Sequence, residues 1–367
     1  MTQTRHAYPS VIYNGKNISE YVDKYLESFQ YTDPASGESD SLSLTLGNWD
    51  QIWLSGWFPD KGATVAANVQ ASNWNKQGDL LKLACGTFTL DDISFSGIPD
   101  AINMGAVSAP ADNAFKGTER TKTWEDVTVK QIASDIARRY GLTLVYDADP
   151  IKIATVEQSG EADSAFLEKI CKDYGISLKV YSHKLVLFDR EKYKAKPAVA
   201  TIDKGEMLNY TFNTTLAGTY TGGELTFTTS KGQEIKATVG AGPRILKANV
   251  SASTTAEAKL KLIAAVEEAN HSETRLSFST IGSPSLVAGQ CINITGLGIA
   301  DGKYYIDKAT HNVGAAYTTD FECSRVRTTS LGNFKTTDAG SGGGSGRKNK
   351  LDTLSWATRT QAERTVK

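Results

Sequence analysis

The sequence predicts an α+β protein, mainly β, in which an α/β portion separates two β regions. Three observations carry this expectation. Apolar and polar residues alternate with period 2 through residues 8 to about 118 and again through 196 to about 330, as where Leu42, Leu44 and Leu46 interleave with Ser41, Ser43 and Thr45. Between them, two helical stripes each end in Tyr-Gly and run straight into a strand. Turn signals such as Asn14-Gly15, Ala288-Gly289-Gln290 and Ala300-Asp301-Gly302 punctuate the β stretches.

In the first region (1–118), Val11, Ile12 and Tyr13 lead into the Asn14-Gly15 hairpin signal, and Phe88, Leu90, Ile93 and Phe95 mark a further strand before Gly97-Ile98-Pro99-Asp100 turns the chain. In the second (119–195), Thr128 and Gln131 have capping-box spacing, Ile132, Ala133, Ile136, Ala137 and Tyr140 share a helical face, and Gly141 offers a left-handed stop. Phe166, Leu167, Ile170 and Tyr174 repeat the stripe and Gly175 the stop; strands are expected over 142–146, 176–181 and 184–188, the last two joined by Ser182-His183. In the third (196–330), Thr254 and Glu257 cap a helix reaching to about Asn270, and the strand spacing suggests a compact barrel or sandwich. Residues 331–367 contain a Gly/Ser linker, Gly340 to Gly346, and continue as a basic tail.

Composition narrows the function classes. The 367 residues fit two or three domains at roughly 150 residues each. A formal net charge of -1 gives no global field for nucleic acid, and no specific nucleic-acid binding is expected. Residues 1–6 show no apolar signal core and no stretch approaches the roughly 20 apolar residues of a membrane helix, so no membrane contact and assembly in a cytoplasm are expected. Cys85, Cys171, Cys291 and Cys323 form no CxxC pair and read as free, mostly buried thiols.

A search for chemistry yields no catalytic, cofactor-binding or metal site. No glycine has P-loop context, and Gly296-Leu297-Gly298 lacks the third glycine of a dinucleotide fingerprint. His6, His183, His271 and His311 are isolated from one another. Asp91-Asp92 and Glu267-Glu268 read as solvated strand and helix surface. The aromatic cluster is the informative feature. Trp49, Trp53 and Trp57 fall in one short segment followed by Phe58, and Trp53 and Trp57 would share a face if that segment is a helical turn. Core packing explains any one of them; together, Trp53, Trp57 and Phe58 are candidates for covering a neighbouring chain.

Several stretches resemble the late control protein D family, the hub proteins of contractile phage tails, in its prophage-like branch. They are Tyr13-Asn14-Gly15-Lys16 through Phe29-Gln30-Tyr31-Thr32-Asp33, Trp53 to Pro59, Cys85-Gly86-Thr87-Phe88 with Asp91 to Gly97, Lys122-Thr123-Trp124-Glu125, Ala217-Gly218-Thr219-Tyr220, and Gly289-Gln290 with Gly302 to Ile306. The resemblance implies two tail-tube-like β-barrels around an α/β portion. It also implies a homotrimer in a virion tail or phage-like particle, adapting the hexameric tail tube protein to a trimeric spike protein, with other baseplate proteins as neighbours and no cofactor. Tail tips often carry a cell-wall-degrading enzyme or a peptidoglycan-binding module, which is the competing expectation. On the hub reading the tail is expected to dock on a neighbouring baseplate protein through Leu351, Leu354 and Trp356.

Overall fold

The computed structural model describes residues 4–108, 114–228 and 232–327. Strands take up 51% of the chain and helices 20%, so the mainly β, α+β expectation holds. In chain order the first part comprises β1 (His6–Tyr13), β2 (Lys16–Asn17), α1 (Ser19–Tyr25), β3 (Leu26–Pro34), β4 (Ser41–Gly47), β5 (Thr64–Ser72), β6 (Leu80–Ser96) and β7 (Ala101–Val107). Then come α2 (Ala114–Gly117), β8 (Glu119–Thr128), α3 (Val129–Arg139), β9 (Thr143–Asp147), β10 (Lys152–Ala162), α4 (Asp163–Asp173), β11 (Ile176–Tyr181), β12 (Lys184–Asp189) and α5 (Arg190–Ala195). The last part holds β13 (Ala200–Asp203), β14 (Met207–Thr214), β15 (Gly222–Thr228), β16 (Glu234–Gly240), β17 (Ile245–Lys247), α6 (Thr255–Asn270), β18 (Thr274–Ile281), β19 (Cys291–Thr295), β20 (Gly302–Val313) and β21 (Tyr317–Arg325).

The first and last β regions share one 13-stranded sheet, whose main path runs β14-β18-β21-β20-β3-β4-β7-β6-β5-β1-β2. Among the described residues this path is open and does not itself draw two closed rings. Its seam is the antiparallel pairing of Phe29–Pro34 in β3 with Lys308–Val313 in β20, reinforced where the bulge residue Asp307 accepts the Ala35 N–H at 2.7 Å. Alternation sets the faces as the sequence indicated: Leu42, Leu44 and Leu46 are buried in a core with Phe29, Val69, Phe88 and Ile102, to which Val287, Val313 and Tyr317 contribute from the far end of the chain.

The α/β portion has its own core, with Ile132, Ile136, Phe166, Leu167 and Leu185 packed between two helices, the β8–β10 pair and the β11-β12-β9 sheet. β14 pairs with β18, so residues 215–273 form an insert. Within it α6 packs on the small β16-β15-β17 sheet through Leu225, Phe227, Leu262 and Val266. All four cysteines are free and buried. One sequence expectation fails: Glu267 is not solvated helix surface but buried, because the side of α6 that carries it faces α4 and α5 rather than water.

Candidate functional site: an aromatic surface patch and a buried three-way junction

The aromatic segment follows β4. Asn48 donates its N–H to the Asp100 carbonyl at 2.7 Å and its side-chain oxygen accepts the Trp53 N–H at 3.1 Å, which fixes a single 3-10 turn, Ile52–Leu54. Trp53 points inward, 3% exposed, with its indole N–H on the Gly47 carbonyl at 3.2 Å. It meets Trp57 edge-to-face at 5.9 Å and Tyr25 at 5.8 Å. Trp53 is therefore a core anchor, a correction to its candidacy as a neighbour-facing residue: the 3-10 turn and the Gly47 carbonyl aim its ring into the molecule. Trp57 and Phe58 are 40% and 56% exposed, and Trp49 is 61% exposed.

The outer aromatics are held in place rather than loosely displayed. Trp57 lies against Tyr21 at 4.3 Å, Trp49 against Tyr25 at 4.8 Å, and Phe58 stacks on Phe95 at 6.0 Å. A Cβ on Gly47 would fall 2.2 Å from the Trp49 ring, so only glycine lets that ring lie where it does. The patch also takes in exposed Leu54. Sequence spacing missed Tyr21, Tyr25 and Phe95, which come from α1 and β6, because only the fold brings them to the Trp segment. Leu351, Leu354 and Trp356 lie outside the described residues.

A second constellation, absent from the sequence reading, is buried where the three parts of the chain meet. Lys179 on β11 reaches the carboxylates of Asp33 on β3 and Asp40 before β4, the latter at 2.7 Å, and all three side chains are fully buried. Tyr31 donates its hydroxyl to Asp40 at 2.5 Å, and the Ala288 N–H donates to Asp33 at 3.0 Å. The Lys179–Asp33 pair thus joins the first β region, the α/β portion and the loop before β19, the last through the Asp33 carboxylate. Burial pushes the Asp40 carboxyl up to about 7; Lys179 pulls it down and Asp33 pushes it further up. The two carboxylates hold Lys179 above the usual lysine range in spite of its burial.

A parallel arrangement clamps the α/β portion. Asp163 at the start of α4 pairs with Arg139 and with Arg120 at 3.3 Å, and accepts from Tyr140 at 2.7 Å and Gln158 at 2.9 Å. Although burial works the other way, these partners hold its carboxyl below the usual range. Among the described residues no group of three or more His, Cys, Asp or Glu is placed to hold a metal ion, and no helix is long and apolar enough to cross a membrane. What the site offers chemically is contact area on an ordered aromatic face, and rigidity beneath the sheet.

The fold is that of phage tail proteins. It matches the 43 kDa tail protein of prophage MuSo2 from Shewanella oneidensis with a TM-score of 0.66 at 12% identity, over 87% of this chain and 98% of that one. A tail protein from Neisseria meningitidis matches equally well, at 0.66 and 12%, over 87% and 96%. In sequence the chain is a relative of phage baseplate hub proteins: 180 residues are 32% identical to the probable baseplate hub protein of Escherichia phage 186 and 29% to that of phage P2. Those matches take in 47% of this chain but only 42% and 43% of the relatives, so the chain spans less than half of the curated proteins it matches. No protein-family model matches the chain.

Proposed function

We propose that this chain is the structural hub of a contractile phage or phage-like tail baseplate, a trimer that adapts the hexameric tail tube to the trimeric spike. The observation that carries the reading is the coincidence of hub-protein sequence identity over 180 residues with a tail-protein fold over 87% of the chain. Both relatives are named for a structural role, which supports a non-enzymatic protein over a cell-wall enzyme or peptidoglycan-binding module. On this reading the β regions flanking the α/β portion act as two tube-like, barrel-forming units per chain, giving six per trimer, and residues 1–118, 119–195 and 196–330 are its working parts. Trp57 and Phe58 then face a neighbouring subunit or tube protein, since a fixed aromatic patch of this kind is what interfaces bury.

The test is a reconstruction of purified particles with this chain labelled. Three copies in one ring between tube and spike are expected. Six copies in that ring, or the label elsewhere in the tail, would overturn the proposal.

A further inference from the structure

Residues 215–273 leave and rejoin the large sheet at one point, the end of the β14–β18 pair. There Thr214 and Thr274 face each other with hydroxyls 3.1 Å apart, and the Thr215 N–H reaches the Glu273 carbonyl at 2.9 Å. Beyond that point the insert keeps a core of its own. α6 turns Ala258, Leu262 and Val266, one helical stripe, onto Leu225, Phe227 and Val239 of its small sheet, and none of these residues belongs to the cores of the other parts. The opposite stripe of α6, Leu260, Ile263, Ala264, Glu267 and Glu268, looks towards α4 across a groove of about 1040 Å³. Leu260 stands 43% exposed there, so the two helices do not close an apolar seam along their length.

Polar latches bridge the groove. Tyr174, just past the end of α4, donates its hydroxyl to Glu257 in the first turn of α6 at 2.7 Å, and the Lys261 ammonium lies 4.9 Å from its ring centre. Arg190, at the start of α5, pairs with Glu268 in the last turn of α6 at 2.8 Å. Between these latches the backbones come close at Gly175, where an added Cβ would lie 3.3 Å from that of Ala264. A unit with its own core, a tether of one strand pair and a polar, half-open contact to its neighbour can move as a body. Parting it from that neighbour breaks pairs that water can replace and strips no large apolar face. We propose that the insert is a hinged flap, swinging at the Thr214–Thr274 end so that α6 lifts from α4 when the Tyr174–Glu257 and Arg190–Glu268 latches part.

The α4 wall carries a native reporter. Cys171 is buried, shares the groove-facing side of α4 with Glu168 and Lys172, and has its thiol pushed up by burial, so it is inert while α6 covers it. Cys85, Cys291 and Cys323 are buried in the two sheet cores and report the opening of those instead. The full chain is treated with N-ethylmaleimide in native buffer, and each thiol is followed by peptide mass mapping. Cys171 is expected to react at least about ten-fold faster than the other three, as a local opening below global unfolding requires. Tyr174→Phe combined with Glu268→Gln removes both latches and no core residue, and should speed Cys171 by a further factor of about three to ten, the effect of losing two weak pairs. Gly175→Cys combined with Ala264→Cys sets two thiols near the roughly 3.8 Å Cβ spacing of a disulfide; oxidation should pin the flap and slow Cys171 to the rate of the sheet thiols, and reduction should release it. A Cys171 no faster than the other thiols, a rate indifferent to the latches, or one indifferent to the oxidised bridge would each overturn the proposal. Melting curves check that each variant keeps its fold, and the wild-type comparison stands without them.

Discussion

The buried junction makes a quantitative prediction about pH. Asp33, Asp40 and Lys179 have no access to solvent, so with both carboxylates ionised the cluster carries a net charge of -1 away from water. The Asp40 carboxyl sits at about 7 in the folded chain and near its ordinary 3.8 when unfolded. The folded state therefore binds the extra proton between those values. Stability from this group is complete below pH 3.8 and is lost as pH rises towards 7, then stays lost above it. Three units at about 1.4 kcal/mol each set an upper bound of about 4 kcal/mol. Asp40→Asn removes the titration while keeping an oxygen for Tyr31 and Lys179. Relative to wild type, the variant is expected to gain on the order of 2–4 kcal/mol between pH 4 and pH 8. Urea midpoints of both proteins at matched pH would measure it, the difference cancelling titrations they share. A difference that is flat across that range would refute the reasoning. Lys179→Met, which strands two buried carboxylates, should cost about 3–5 kcal/mol at neutral pH, and less in acid.

Three further outcomes follow from the geometry. Trp53→Ala should lower stability by about 3–5 kcal/mol, whereas Trp57→Ala and Phe58→Ala should cost less, about 1–2 kcal/mol, and, on the proposed function, also reduce the yield of assembled baseplates. Asp163→Ala should cost about 1–3 kcal/mol, chiefly by leaving the Gln158 and Tyr140 donors without their acceptor, since Arg139 and Arg120 are partly open to water. Because its partners hold the Asp163 carboxyl low, the stability it supplies is present above the unfolded carboxylate pKa and lost as pH falls below it; an α/β portion whose stability does not fall in acid would contradict this, as read by hydrogen exchange in α3 and α4. Gly86→Val should destabilise by roughly 1–3 kcal/mol in urea melts, since Gly86 has φ +104° and an added Cβ would meet Tyr181 and Ser182 at 3.1 and 3.2 Å.

What the sequence disclosed was local. The Thr128 and Gln131 side chains each accept the other's backbone N–H, at 3.2 and 2.7 Å, and Thr254 caps α6 through the Glu257 N–H at 3.1 Å. Gly141 and Gly175 take the left-handed conformation that ends α3 and α4, and Asn14-Gly15 and Ser182-His183 have positive φ throughout, as two-residue hairpins need. Hidden were the features that depend on pairing across long separations. Nothing local in Met207–Thr214 says that its partner begins at Thr274, so the intervening insert read as part of one β region. Lys179 sits in Ile-Ser-Leu-Lys-Val-Tyr, where a lysine passes for the wet face of a strand; its carboxylate Asp33 is 146 residues away. Trp53, Trp57 and Phe58 gave a hint of the aromatic patch in advance, but the turn that aims Trp53 inward depends on Asn48 being pinned to Asp100 by the β6–β7 hairpin.

The seam between β3 and β20 bears on how the proposed hub would carry load. Had the two β regions been joined only through the α/β portion, each could shift or unfold alone. Instead β3 lies between β20 and β4, and β20 between β21 and β3, so neither strand has a free edge along the seam. The Asp33–Lys179 pair and the Ala288 N–H tie the same place from the side. Opening the seam would thus break a ladder, pull apart a buried ion cluster and split two cores at once, and the two β regions should open as one cooperative unit. Native-state hydrogen exchange on the wild-type chain can decide this. Amides of Phe29–Pro34 and Lys308–Val313 are expected to share one opening free energy, equal to that of the buried strands on either side, β4 and β21. If β3 exchanged with β4 at one energy and β20 with β21 at another, the regions would be separable, and a continuous sheet would not be what makes them rigid.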